Sequence, residues 1–170
     1  MIADPAPAPP PPIIRTATVA DVPQIAALAA QRRRDYARHQ PVFWHPASDG
    51  LARHLPYLEH QIASSDVLAF VHQSGEQMDG FIIGRVGPAP PVYDPGGPVC
   101  VVDDFVVADV ERWIEIGSAL LRQVEAAAHR ERGCALVIVV CGDHDRPKQE
   151  LLHRDGARIA SQWWVKTLRS

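Results

Sequence analysis

Residues 99–121, VCVVDDFVVADVERWIEIGSALL, constrain the fold more than any other stretch. An apolar strand pattern carries two adjacent carboxylates, Asp103 and Asp104. A short polar turn follows, and Gly117 stands where an amphipathic helix pattern opens. That order places acidic chemistry beside a helix N-terminus, whose unpaired backbone N–H groups and partial positive charge suit a phosphate. A phosphate-bearing cofactor beside a candidate base points to group transfer.

The rest of the chain fits one enzyme-sized domain. Its 170 residues are 46% hydrophobic, enough for a substantial core, and carry a net charge of −3. That balance gives no basic stripe for a nucleic acid. No apolar run has membrane-spanning length, and the N-terminus lacks the basic-then-apolar order of a signal peptide. A cytoplasmic protein with neither a nucleic-acid nor a membrane partner is expected. Cys100, Cys134 and Cys141 are odd in number and lack CxxC spacing. They read as buried reduced thiols, with a nucleophilic Cys141 as the alternative. No HExxH or paired His/Cys spacing offers a metal site.

Along the chain, residues 1–12 form a proline-rich tail expected to be disordered, and residues 13–170 a single domain. IIRTAT reads as a strand. Asp21 can cap a helix running to about Arg38, with Val22, Ile25 and Ala29 at helical spacing. Its Arg32, Arg33, Arg34 and Arg38 form either a solvated basic face or an attraction for phosphates. A loop over 39–48 carries Phe43 and Trp44. A helix over 49–63 shows the stripe Leu51, Leu55, Leu58, Ile62. VLAFVHQ and MDGFIIGRV make a hairpin, and residues 86–98 form a Pro/Gly-rich loop with Tyr93. Strand 99–107 and helix 115–130 follow, the helix stopped by Gly133. ALVIVV, residues 135–140, reads as a strand covered on both faces. Pro147 suits the first turn of a short helix, KQELLHR, and ARIASQWWVKTL supplies one or two final strands, with one of Trp163 and Trp164 facing inward.

This order, with its Asp-Asp strand and glycine-opened helix, resembles the GNAT acyltransferase family over nearly the whole chain. VVDDFVV resembles the family's fourth strand, aliphatic-acid-acid-aromatic-x-Val. Residues 112–117, RWIEIG, resemble its acyl-CoA loop, Arg/Gln-x-x-Gly-x-Gly/Ala, and KQELLHRDGA resembles its last short helix. The resemblance implies an α/β (α+β) fold, a mixed central sheet of six to seven strands flanked by about four helices. It implies transfer of an acetyl group from acetyl-CoA to a primary amine of a small molecule or protein, by direct attack on the thioester and without a metal. It allows a homodimer, since dimers are common in the family.

Carried over residue by residue, Phe105, Val106 and Val107 would hold the pantetheine and acetyl group. Arg112, Trp113, Ile114, Glu115, Ile116, Gly117 and Ser118 would cradle the pyrophosphate. In the polyamine-acetylating branch the first acid accepts the amine's proton through water and the second binds the cationic substrate, which makes Asp103 the base and Asp104 the anchor. Phe43, Trp44 and Tyr93 would line the acceptor pocket; aromatic walls beside acids suit a cationic amine. His144 and His153 are alternative proton carriers.

Two positions depart from the family pattern. Glu115 replaces the loop's first glycine and sets a negative charge near phosphates. Leu152 replaces a tyrosine that in the family protonates the departing thiolate. Both motivate a second reading, a catalytically degenerate GNAT-fold binding or regulatory module. A nucleotide-binding enzyme of another type would need a glycine-rich loop, and only Gly117 is present.

Overall fold

The computed structural model describes residues 11–168, so most of the proline-rich tail lies outside the described residues. Among the described residues five strands form one sheet in the order β1-β2-β3-β4-β5. They are β1 (Ile13–Thr16), β2 (Val67–Ser74), β3 (Gln77–Gly87), β4 (Val99–Val107) and β5 (Leu136–Val139). The first four pair antiparallel, and β5 joins β4 in parallel. Helices α1 (Val22–His39) and α2 (Gly50–Ala63) cover one face; α3 (Ser118–Arg132) and α4 (Arg146–Arg154) cover the other.

Strand alternation divides the core between these faces. Phe81, Ile83 and Val106 pack under α1 with Ile25, Ala29 and Leu58. Ile82, Val102, Phe105 and Val107 pack under α3 with Leu120, Leu121 and Val124. Gly133, at φ 64°, ends α3 in the left-handed conformation that glycine adopts at low cost. The stripe of α2 holds for Leu58, Leu55 and Ile62, while Leu51 is exposed. Asp21 stands at the N-cap of α1, yet its carboxylate takes hydrogen bonds from Arg15 at 2.7 Å and from the Thr18 N–H at 2.8 Å rather than from helix amides. Arg15 holds it well below the usual carboxylate range, at about 2.

The sheet has five strands, not the six to seven expected, because the C-terminal segment does not join it. Beyond Gly156 the described chain forms no ladder, and Trp163 and Trp164 are 74% and 89% exposed, so neither faces inward. Without a ladder, nothing turns either ring toward the core. For the same reason β5 is an edge strand: Leu136 and Ile138 are 40% and 41% exposed, where a doubly covered strand would bury both.

Candidate active site

The two carboxylates are separated by an irregularity in β4. Ile83 pairs with Asp104 and Gly84 with Val102, so Asp103 is the extra residue of a β-bulge. In a regular strand Asp104 would share the α3 face with Val102. The bulge resets the alternation: Phe105 and Val107 return to the α3 face, and Asp104 is turned toward α1 and α2. Beyond the pairing of Val102 with Val139 the ladder to β5 ends, with one further bond from the Val140 N–H to the Val102 carbonyl at 2.8 Å. The stretch Asp104 to Val107 thus keeps its β3 partners and lacks a β5 partner. Its backbone edge is open to an extended ligand.

Burial pushes the Asp104 carboxyl up to about 6, helped by Asp103 and opposed by Arg33 and Lys148. Among the described residues neither aspartate forms a salt bridge. Arg33, on α1, feels the charge of Asp104, while its Nη1 is turned to His54 Nδ1 at 3.3 Å. Burial, with Arg33 next to it, pushes His54 down to about 4, so that imidazole is neutral at pH 7. Tyr57 is raised by burial and by both aspartates. Arg33, His54 and Tyr57 line a cavity of about 460 Å³ together with Phe43, Trp44 and Arg53. That volume suits a small-molecule site.

Of the expected pocket residues, Phe43 and Trp44 line this cavity, their rings meeting edge to face at 4.7 Å. Tyr93 does not; it lies 72% exposed in the 88–98 loop. Trp163 reaches Phe43 at 6.0 Å between centroids. Arg33, His54 and Tyr57 were not singled out from the sequence as pocket residues. The available signal was the polar side of α2 opposite its leucine stripe, with His54 and Tyr57 three residues apart on one face.

The expected phosphate segment is already helical. Val110–Arg112 forms a 3₁₀ turn, Trp113–Gly117 a π turn, and both run into α3. The helical run therefore starts near Val110, where the Asp109 carboxylate accepts the Glu111 N–H at 2.9 Å, and not at Glu115 or Gly117. The physical reason is Trp113, which is buried against Phe105 at 5.0 Å between centroids and draws the preceding turn onto the core. Gly117 serves packing here: a Cβ on it would lie 3.0 Å from the Trp113 ring and 3.2 Å from Leu151. Ile116 is buried, Ile114 and Ser118 are half-buried, and Arg112 donates to the exposed Glu115 at 2.8 Å.

A second charged cluster sits under the same strand. Asp145, buried at the start of α4, pairs with Arg32 of α1, accepts the Tyr36 hydroxyl at 2.9 Å, and lies 3.6 Å from Lys148 Nζ. Burial works to raise the Asp145 pKa, but Lys148 and Arg32 outweigh it and hold the group below its ordinary value. Lys148 is itself pulled down by burial and lies over Phe105 and Trp113, at 5.6 and 5.4 Å from their centroids. Of the arginine run, Arg34 and Arg38 are exposed, as a solvated face requires. His144 stacks on His39 at 4.0 Å, and burial lowers its pKa. Burial raises Cys141 to about 11, which keeps it a thiol and leaves no nucleophile there. Leu152 packs on the α3 core.

No protein-family model matches the sequence, and no curated protein matches it. Solved structures do match the fold. The tetramutant BH1408 protein of Bacillus halodurans aligns over 92% of this chain and 99% of its own, with TM-score 0.78 and 16% identity. Aminoglycoside N-acetyltransferase AAC(6')-Iy in complex with CoA aligns over 97% and 99%, with TM-score 0.70 and 13% identity. A predicted acetyltransferase with acetyl-CoA from Clostridium acetobutylicum aligns over 92% and 96%, with TM-score 0.69 and 15% identity. The chain therefore has the GNAT acetyltransferase fold. Among the described residues no helix is long and apolar enough to cross a membrane.

Proposed function

We propose that this chain is an acetyl-CoA-dependent N-acetyltransferase acting on a primary amine. The observation that carries this reading is Asp104, turned by the bulge toward the α1 and α2 side of the sheet, its carboxyl pushed up to about 6, beside an open strand edge. A base with a pKa near the working pH combines ionisation with useful proton affinity. The neighbours that hold CoA or acetyl-CoA support the choice of donor.

In this mechanism the thioester arm lies along the free edge at Phe105, Val106 and Val107, where backbone groups can orient it. The phosphates lie toward residues 112–118, and the Arg112–Glu115 pair offsets the charge that Glu115 alone would present. Asp104 accepts the amine's proton. The freed amine nitrogen attacks the thioester carbonyl, the new C–N bond forms, the C–S bond breaks, the nitrogen's second proton passes to water, and the thiolate takes its proton from water because Leu152 cannot donate one. The roles of the two acids are thus reversed relative to the polyamine-acetylating branch: Asp104 is the base, and the exposed Asp103 attracts the incoming ammonium.

The test has two parts. Acetyl-CoA at millimolar concentration should raise the melting temperature. Thiol release from acetyl-CoA should then appear with at least one member of an amine panel and fall sharply in Asp104→Asn. A thermal shift without thiol release on any amine would return the chain to the binding-module reading.

A further inference from the structure

The cavity between α1, α2 and the 43–47 loop has a cation in its wall that the proton transfer itself does not use. Arg33 is half-buried in its wall, with no carboxylate bonded to it among the described residues. Its contact is His54, which is neutral at pH 7 and cannot balance its charge. The other arginine of the wall, Arg53, donates to Asp49 at 2.7 Å. Arg33 thus has only the through-space charge of Asp104 and no bonded anion, and a half-buried guanidinium gains most from an anion that meets its planar fork. Phe43, Trp44 and Tyr57 form the apolar side of the same space. Asp104 lies close enough to Arg33 for each to shift the other's titration.

We propose that the acceptor is an amino acid or a close analogue: its carboxylate on Arg33, its amine toward Asp104, its apolar or aromatic side chain against Phe43, Trp44 and Tyr57. A single unbonded guanidinium favours a carboxylate over a phosphate, which would bring up to two negative charges to one cation that Asp104 already partly offsets. This rests on the acetyltransferase reading and narrows its acceptor. It also amends the expectation of a purely cationic amine, since the wall that supplies aromatic rings supplies a guanidinium as well.

Two measurements on the full chain separate this inference from the reading beneath it. The first is binding of the corresponding products, N-acetyl-L-phenylalanine and its amide, followed by calorimetry in the presence of CoA. The acid should bind about tenfold or more tighter than the amide. Arg33→Gln should bring the two to about the same affinity, and Arg33→Lys should restore part of the difference. Equal binding of acid and amide by the parent protein, no binding of either, or a preference that survives Arg33→Gln overturns the proposal. The second is thiol release with L-phenylalanine and with phenethylamine, which lacks the carboxylate. A preference for the amino acid supports the assignment. A preference for phenethylamine overturns it and leaves acetyl transfer standing, whereas no turnover with any amine removes the acetyltransferase reading itself.

Discussion

Two adjacent arginines on α1 meet two aspartates in opposite ways. Arg32 forms an ion pair with Asp145, and with Lys148 and Tyr36 it keeps that carboxylate ionised in a dry setting. Arg33 stays off Asp104, which has no salt-bridge partner among the described residues and rises to about 6. A carboxylate held by close ion pairs is a fixture; one without a close ion pair stays able to exchange a proton near neutrality. The difference separates architecture from chemistry between two successive residues of one helix.

The contrast breaks most visibly at Asp145. Asp145→Ala should strand Lys148 and Arg32 as buried unpaired cations and cost about 3–5 kcal/mol. For a chain of this size that lowers the melting temperature by about 10 °C, readable by calorimetry. A loss below about 1 kcal/mol would mean that water already reaches the cluster.

Asp104→Asn should do the reverse. Transfer should drop by about 100-fold or more, while stability at pH 7 rises by up to about 3 kcal/mol. The sign follows from the raised pKa: the folded state holds an extra proton between the unfolded value near 4 and about 6, so ionisation above that window weighs against folding. Urea titrations at pH 4 and pH 7 check it, since the gain should be near zero at the lower pH.

A pH profile sharpens the same contrast. kcat/KM should climb through pH 6 and level above it. The charged and titratable groups coupled to Asp104 through space are Arg33 from α1, Tyr57 from α2, Lys148 from α4 and Asp103 on its own strand. Arg33→Gln removes one of the two cations that hold the pKa down, so the rising limb should move upward by about half a unit to one unit. An unmoved limb would show that Arg33 and Asp104 are not coupled.

The smallest effect belongs to Glu115→Gly. Because Arg112 already pairs with Glu115 in solvent, CoA affinity should change by no more than about threefold. A much larger gain, measured by calorimetry, would show that Glu115 meets the phosphates directly.

Much of this architecture was legible in the amino-acid order. The hairpin 67–87, the strand with both aspartates, Gly133 as a helix stop and Pro147 in the first turn of α4 are local signals, and all appear. What escaped depends on distant partners. Whether Asp104 faces α1 or α3 is decided by its register against Ile83 and Gly84. Arg33, His54 and Tyr57 come together only when two helices cross one sheet face. Trp113 reads as part of a polar turn in the sequence, yet its ring meets Phe105, and the helical run begins at Val110, seven residues ahead of Gly117. The C-terminal segment has strand-like composition, but no ladder on β5 receives it.

The bulge in β4 has one more implication, for strand length. Because Asp103 is the residue in surplus, a chain lacking it could pair Gly84 with Val102 and Ile83 with Asp104 as consecutive rungs. Every apolar side chain of β4 would keep its side of the sheet. Excision of a residue from a central strand usually scrambles a protein; here it straightens a kink and spares the packing. Such a shortened variant isolates the bend itself, and whatever it can no longer do is what the kink was there to provide.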